Sequence, residues 1–271
     1  MSPSSIASPP PWSKIFIELA VRALLRVHHD YLLWSMPQDP TTEPDFRRLT
    51  NAPGAAFADE PTVCAAIAQE FVATRLTFGV HIAANEAANV LAGPRTWRIA
   101  REKKYPRSDK EVDFHIERIA ALNTGEKWVP VWIEAKRAFL WTNHLGDFVV
   151  GDPLDQTKAI QADAKKLTEE IKVEEGFRSL LVWNVIDANS PKTARGPNMF
   201  LASFGDIEII PCQVRHVPLG SYCVRADEAD SPQQLKCNSS LWVALADVWM
   251  KSDLNKRPAP KFPTDPVSVV Q

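Results

Sequence analysis

Residues 131–136 read Val-Trp-Ile-Glu-Ala-Lys, and the fold can be predicted outward from this segment. Apolar and charged side chains alternate here, and a period of two is typical of a β-strand. The pattern predicts a strand over residues 128–137. One face of this strand carries apolar side chains, namely Val129, Val131, Ile133 and Ala135. The opposite face presents Trp132, Glu134 and Lys136, so two opposite charges point to the same side.

A second alternating segment precedes this strand and covers residues 110–117. Its apolar face consists of Val112, Phe114 and Ile116. Its other face consists of Glu111, Asp113, His115 and Glu117. The sequence Asn-Thr-Gly at 123–125 is typical of a turn and separates the two segments. We therefore expect the two strands to form a hairpin.

The segment after the hairpin has the period of a helix. Asp152 and Pro153 are typical of a helix start, and Gly176 is its predicted end. The apolar stripe of this helix comprises Gln156, Ile160, Ala164, Leu167 and Ile171. The apolar run at 179–186 then predicts a strand buried on both faces. Strand, helix and strand in this order predict a right-handed parallel crossover, and hence an α/β fold with a mixed β-sheet flanked by helices.

Further elements flank this core on both sides. A helix is predicted over 13–34, and its buried stripe comprises Ile17, Val21, Leu24, Leu25 and His28. After a polar loop at 38–54, a second helix is predicted from Glu60 to about Gly79, with Val63, Ile67 and Phe71 in its stripe. Strands at 207–214 and 221–225 and a closing helix over 240–251 follow the core. The stripe Leu241, Leu245 and Trp249 on that closing helix is read as a buried face, with an oligomer interface as the alternative.

The 271 residues are interpreted as one domain between two tails. Residues 1–12 are a Ser/Pro-rich tail and residues 255–271 a Pro-rich tail, both expected to be flexible. The domain covers 13–254, with a helical amino-terminal part at 13–54 and a core at about 60–187.

Composition narrows the class of protein further. Hydrophobic residues make up 45% and charged residues 24% of the chain, values that are ordinary for a globular domain. The formal net charge of −2 argues against a surface that is basic throughout. We find neither an apolar window long enough to span a membrane nor a signal-peptide pattern, so a cytoplasmic protein without membrane association is expected. Four scattered cysteines are predicted to be free thiols: Cys64, Cys212, Cys223 and Cys237.

One constellation in the sequence points to chemistry. Asp113 precedes Glu134 by 21 positions on the neighbouring predicted strand, and Lys136 shares the face of Glu134. Two carboxylates and an ammonium group at the edge of a core are costly unless a cation completes them. Two carboxylates together with the backbone carbonyl of Ala135 are hard oxygen ligands of the kind that magnesium accepts. Lys136 beside such a metal could orient an attacking water and stabilise charge that develops on phosphorus.

These residues resemble the PD-(D/E)XK nucleases, which have the restriction-endonuclease-like fold. The resemblance is carried by residues 112–114 and 131–136, with the helix and the buried strand following in the family's order, and it covers about 60–187. It implies a core of helix, three-stranded meander, helix and strand. It also implies Asp113 and Glu134 as metal ligands and Lys136 as the catalytic lysine. One departure is that Val112 stands where the family's pattern has proline.

The resemblance further implies a substrate, a cofactor and additional site residues. Members usually cleave DNA with Mg²⁺, for which Mn²⁺ can substitute, and RNA stays open as a substrate. Restriction, antiphage defence and DNA repair are all open as roles, with a homo-oligomer or a partner protein. An acidic residue on the preceding helix is best matched by Glu70, with Glu86 as the alternative. The following helix offers Gln156, Asp163 and Lys166 as polar contributors.

A basic cluster precedes Asp113 in the sequence. It comprises Arg101, Lys103, Lys104, Arg107 and Lys110. The cluster is either a wall that grips phosphates or a solvated face.

Three alternatives to an active nuclease stay open. One is a catalytically silent nuclease-like subunit that binds or scaffolds. Another is an α/β enzyme of different chemistry in which Glu134 and Lys136 simply pair. The third is an edge strand that carries an ordinary cross-strand ion pair.

Overall fold

A six-stranded mixed sheet lies at the centre of the computed structural model. The structure describes residues 12–35, 58–82, 97–118, 130–138, 141–142, 148–150, 153–187, 200–226 and 233–256. Its helices are α1 (Trp12–Ser35), α2 (Glu60–Ile82) and α3 (Pro153–Glu170), with a 3-10 helix over Lys251–Lys256. Its strands are β1 (Trp97–Lys104), β2 (Glu111–Arg118), β3 (Val131–Arg137), β4 (Trp141–Thr142), β5 (Phe148–Val150), β6 (Phe177–Asp187), β7 (Ile207–Ala226) and β8 (Gln233–Met250).

The large sheet has the strand order β1-β2-β3-β6-β8-β7, and β4 and β5 form a separate pair. Strands β1, β2 and β3 are consecutive antiparallel neighbours. Strand β3 then pairs in parallel with β6, and helix α3 connects them in sequence. The predicted hairpin, the parallel crossover and the mixed α/β sheet are therefore confirmed. The edge-strand alternative for β3 is wrong, because β2 and β6 flank it on both sides.

Helices cover both faces of this sheet. One core cluster joins α1 and α2 to side chains such as Phe114, Ile133 and Leu181. A second cluster joins α3 to side chains that include Trp132 and Val182. Strand β6 contributes alternate residues to both clusters, as a strand buried on both faces must. The alternation predicted for β3 is confirmed, since Ile133 and Trp132 belong to different clusters.

The amino-terminal helices follow their apolar stripes. In α1, Ile17, Val21, Leu24 and His28 are buried and Leu25 is partly buried. In α2, Val63, Ile67 and Phe71 are buried. Helix α3 ends at Glu170 and not at Gly176, which lies instead in the turn before β6. A Cβ atom at Gly176 would lie 2.5 Å from Trp132 Cδ1, so this turn needs glycine because the backbone passes close to the indole ring.

The closing helix predicted over 240–251 is wrong, because this segment belongs to strand β8. Leu241 and Leu245 are four residues apart, a spacing that fits both a helix face and one face of a strand. The segment is a strand because it pairs with β6 on one side and with β7 on the other. Both leucines are fully buried and Trp249 is 5% exposed, so the stripe packs inside the chain and forms no exposed interface.

Two further features of the sheet differ from the prediction. The segments 207–214 and 221–225 are parts of one strand, β7, whose pairing is irregular at Pro211/Gln213 and Pro218/Gly220. Strand β1 is the first strand of the three-stranded meander that the resemblance implies, but its range was not predicted, because its second half is a run of charged residues. On β2, Val112 packs with the α3 cluster although Phe114 and Ile116 pack with the α1 and α2 cluster, so the alternation breaks at Asp113.

The remaining expectations concern tails, cysteines and membranes. Residues 1–11, the loop at 38–54 and residues 257–271 lie outside the described part, whereas Trp12 opens α1 and residues 255–256 end the 3-10 helix. Cys64 and Cys212 are thiols and not part of a disulfide, as predicted, and the side chains of Cys223 and Cys237 lie outside the described part. Among the described helices, none has the length and apolar character needed to cross a membrane.

Candidate active site

The sheet opens at Asp113. Pairing between β2 and β3 runs from Ile116 to Phe114 and goes no further toward Asp113, and the pairing of β1 with β2 skips Glu102 and Asp113. Glu102 has a φ of 53°, in the left-handed region that side chains other than glycine rarely adopt. The carboxylate of Asp113 instead accepts the N–H of Ala135 at 2.7 Å. Because the N–H and C=O of one strand residue point to the same neighbour, the Ala135 carbonyl faces this opening as well.

Glu134 lies beside Asp113 and is 4% exposed. The hydroxyl of Tyr105 donates to its Oε1, and Lys166 Nζ lies 2.6 Å from the same oxygen. Burial raises the pKa of Glu134 to about 8, although the bonds from Lys166 and Tyr105 favour the ionised form. The negative charge of Asp113 also acts on Glu134 and contributes to this rise in pKa. Two carboxyl groups this close need a proton or a cation between them.

Lys136 points from the same face of β3 and lies between two other carboxylates. Its Nζ is 3.4 Å from Glu60 Oε2 on α2 and 3.5 Å from Asp163 Oδ2 on α3. Burial opposes the charge on Lys136, but Asp163 and Glu60 outweigh it and raise the pKa of the lysine. Burial in turn raises the pKa of Glu60 and that of Asp163. The Oδ2 atom of Asp163 is buried, and Lys136 is its ion-pair partner.

The structure thus brings together most of the site residues that the sequence predicted. Asp113, Glu134, the Ala135 backbone, Lys136, Asp163 and Lys166 all belong to one connected cluster. Sequence reasoning missed Glu60 and Tyr105. Glu60 next to Pro61 was interpreted only as the start of a helix. Tyr105 follows β1, whose range was not predicted, so no periodicity indicated where its hydroxyl would point.

Two predicted contributors lie elsewhere. Glu70 forms an ion pair with Arg26 at 3.3 Å and follows Glu60 by ten residues, about 15 Å along the helix. The acidic residue that α2 brings to the cluster is therefore Glu60, because it stands at the end of the helix nearest β3. Gln156 lies on α3 seven residues before Asp163, about 10 Å along that helix. Glu86 lies outside the described residues.

Each member of the basic cluster has an acidic partner. The pairs are Arg101–Glu102 at 3.0 Å, Lys103–Glu117 at 3.5 Å, Lys104–Asp109 at 2.8 Å, Arg107–Glu175 at 2.5 Å and Lys110–Glu170 at 3.5 Å. These carboxylates neutralise the positive charges of the five basic side chains locally. The arrangement favours a solvated, ion-paired face over a wall that grips phosphates. His115 is 2% exposed and packs edge-on against Trp132, which fits a structural role.

The donor set around Asp113 fits a magnesium ion. Asp113, Glu134 and the Ala135 carbonyl supply hard oxygen atoms at one opening, and magnesium commonly uses one or two carboxylates while keeping several waters. In the described part of the chain, no three His, Cys, Asp or Glu side chains form a preformed metal cage. The partly buried Asp113 and the buried Glu134 are the carboxylates that a divalent cation would neutralise.

No protein-family model, curated protein or solved structure matches this chain.

Proposed function

We propose that this protein is a metal-dependent nuclease that hydrolyses DNA phosphodiester bonds with a site of the PD-(D/E)XK kind. The observation that carries the proposal is the juxtaposition of Asp113, Glu134 and Lys136 where β2 and β3 separate. The element order α2-β1-β2-β3-α3-β6 also agrees with the helix, meander, helix and strand of the restriction-endonuclease-like fold. The alternative in which Glu134 and Lys136 merely pair finds little support, because Glu134 pairs with Lys166 and Lys136 with Glu60 and Asp163.

The positions of the site residues indicate a separate role for each of them. Asp113, Glu134 and the Ala135 carbonyl would hold Mg²⁺. When bound, the ion supplies Lewis-acid stabilisation of phosphoryl oxygens and acidifies a water molecule. Lys136 offers an ammonium group on the same face of β3, where it can orient the attacking water and stabilise charge on the phosphate. Glu60 and Asp163 hold that ammonium group in place and keep it charged.

A catalytically silent subunit that binds a partner is the second candidate. Two observations favour it: Lys136 already has two carboxylate partners, and the five basic residues before Asp113 are ion-paired. Such a protein would keep the fold and the charged cluster without turnover.

Cleavage assays separate the two candidates. The purified chain is incubated with supercoiled plasmid, linear duplex DNA, single-stranded DNA and RNA, each with Mg²⁺, Mn²⁺ or chelator. We expect metal-dependent cleavage of DNA, reduced at least about 100-fold in Lys136→Ala because the group that orients water is lost. Lys165→Ala is the matched control, since Lys165 is an exposed lysine on α3 that pairs with Glu169. No cleavage of any substrate would favour the silent subunit, and cleavage of RNA alone would correct the substrate.

Calorimetry tests the metal assignment separately from catalysis. We expect Asp113→Ala and Glu134→Ala each to lose Mg²⁺ binding while the circular dichroism spectrum stays that of the folded protein. Unchanged magnesium affinity in both variants would contradict the assigned ligands.

A further inference from the structure

Lys166 on α3 lies against the same carboxylate that is assigned to the metal. We propose that Lys166 is a built-in cation that positions Glu134 and limits the site to a single divalent ion. This inference rests on the proposed function, because it takes Asp113 and Glu134 as the metal ligands. It concerns the number of ions that the site accepts, which the cleavage reaction does not by itself reveal.

Three contacts fix the ammonium group of Lys166. Its Nζ lies 2.6 Å from Glu134 Oε1 and donates to the carbonyl oxygen of Glu111 at 2.9 Å. It also lies 5.2 Å from the centre of the Tyr105 ring, within the range of a cation–π interaction. The side chain is 24% exposed, so these contacts are shielded from bulk water more than an ordinary surface pair is. The group is therefore held at one place.

The contacts also determine which oxygen of Glu134 is left for a metal. Oε1 receives both Lys166 Nζ and the Tyr105 hydroxyl. A second divalent ion that shared Glu134 through Oε1 would have to replace these donors and sit next to an ammonium group. Coulomb repulsion in a buried setting makes that arrangement unfavourable. The carboxylate thus leaves its other oxygen, Oε2, for one ion.

The charge of the cluster points to the same number of ions. Its carboxylates are Asp113, Glu134, Glu60 and Asp163, and its ammonium groups are those of Lys136 and Lys166. Four negative and two positive groups leave a formal charge of −2 when all are ionised. The guanidinium of Arg137 interacts with Glu60 and then with Asp59, and adding Arg137 and Asp59 to the count leaves the formal charge at −2. One Mg²⁺ neutralises this cluster, whereas a second would leave an uncompensated charge of +2.

The wild-type stoichiometry is the direct test, and it needs no variant. Mn²⁺ is titrated into the metal-free chain by calorimetry, and free Mn²⁺ is counted in parallel by electron paramagnetic resonance. We expect one Mn²⁺ per chain, lost in Asp113→Asn. Two ions per chain that both depend on Asp113 would overturn the inference, and so would no binding at all.

Variants of α3 test the part that Lys166 plays. In Lys166→Gln the positive charge is gone and Oε1 keeps the Tyr105 hydroxyl but loses the ammonium group, so we expect a second Mn²⁺ per chain. Lys166→Arg keeps the charge and should bind one ion, as should the matched control Lys165→Gln, which alters a lysine that pairs with Glu169. A Lys166→Gln chain that binds one ion with wild-type affinity would overturn the role of Lys166. If this variant does not fold, the wild-type count and Lys166→Arg decide: two ions bound to either would refute the limit.

The number of bound Mn²⁺ ions and the cleavage assays test the single-ion limit and the proposed nuclease independently. One Mn²⁺ per chain with no cleavage of any nucleic acid would leave the inference standing and remove the nuclease. Metal-dependent cleavage with two ions per chain would do the reverse.

Discussion

Gly176 leaves room for the Trp132 side chain, which packs beside the candidate site. A Cβ atom there would lie 2.5 Å from Trp132 Cδ1 and 2.8 Å from the Pro130 carbonyl oxygen. Trp132 is 4% exposed and stacks on Tyr105 with ring centres 5.7 Å apart, and Tyr105 bonds Glu134. The turn before β6 therefore fixes the position of the Trp132 ring. This ring packs against Tyr105, whose hydroxyl donates to Glu134.

We expect Gly176→Ala to lower the free energy of unfolding by about 1–3 kcal/mol, the usual cost of overpacking. Urea unfolding followed by circular dichroism measures the change. In a Trp132→Leu background the same alanine should cost less, because the two indole atoms are gone and, of the three close atoms, the Pro130 carbonyl oxygen alone remains. Equal costs in both backgrounds would show that the indole is not what excludes the side chain.

His28 is a buried titratable group far from the site, on α1. Burial, and secondarily the charge of His29, lowers its pKa to about 4. An unfolded chain takes up the proton near pH 6.5, whereas the folded chain resists it until pH 4. Protonation of His28 therefore favours unfolding between these two values.

The expected result is that acid destabilises the chain through His28 as the pH falls from about 6.5 to 4. The contribution is up to about 1.4 kcal/mol per pH unit, since each unit of pKa difference carries that free energy. His28→Gln should flatten the stability profile in this window and leave it unchanged above pH 7. Urea midpoints at half-unit steps of pH test this, and a variant with the wild-type slope would contradict the assignment.

Glu102 is the position where β1 departs from strand geometry. Glu102, with a φ of 53°, lies opposite Asp113, where the β1–β2 ladder skips a pair and the β2–β3 ladder has already ended at Phe114. Left-handed backbone costs about 1–2 kcal/mol for an ordinary L-residue. The irregularity thus accompanies the opening that frees the carboxylate of Asp113 from regular strand pairing.

Substitutions at Glu102 should follow backbone preference and not side-chain charge. We expect Glu102→Val to destabilise the chain by about 1–2 kcal/mol, because β-branched residues disfavour positive φ. Glu102→Gly, which loses the same ion pair with Arg101, should stay within about 0.5 kcal/mol of wild type. Lys104→Val, an exposed residue on the same strand, serves as the control. Glycine and valine variants of equal stability would argue that this φ is not maintained in solution.

Some helices and strands can be predicted from their own sequence, whereas others depend on the elements that pack beside them. The alternation in residues 131–136 and the stripe of α3 each fit one period only, so β3, α3 and the crossover to β6 could be predicted. Residues 240–251 fit two periods, and only the neighbours β6 and β7 make them a strand. Strand β1 has no apolar alternation in its charged half. It lies at the edge of the sheet, where charged side chains are common in a strand.

The candidate site divides in the same way. Asp113, Glu134 and Lys136 lie on strands whose faces can be read from the sequence. Glu60 and Tyr105 reach the cluster from the first residue of a helix and from a turn, where no period fixes the direction of a side chain. Tertiary packing alone brings them to β3, and so these two residues could not be predicted.

At the scale of the whole molecule, the cluster ties together both helical layers. Glu60 belongs to α2, Asp163 and Lys166 belong to α3, and β3 lies between them with Glu134 and Lys136. The excess of carboxylates strains this junction in the absence of metal, because buried negative charges repel. A cation held by Asp113 and Glu134 would join β2 to β3 where their pairing stops.

Metal binding should therefore stabilise the entire fold. An ion that binds only the folded chain adds about 2.7 kcal/mol at 100 times its Kd, which raises Tm by about 5–10 °C in a domain of this size. Thermal unfolding in Mg²⁺ and in chelator measures the shift. In Asp113→Asn the amide oxygen can still accept the Ala135 N–H, yet the charge is lost, so the shift should vanish while the fold remains. A rise in Tm as large in Asp113→Asn as in wild type would place the stabilising ion elsewhere on the molecule.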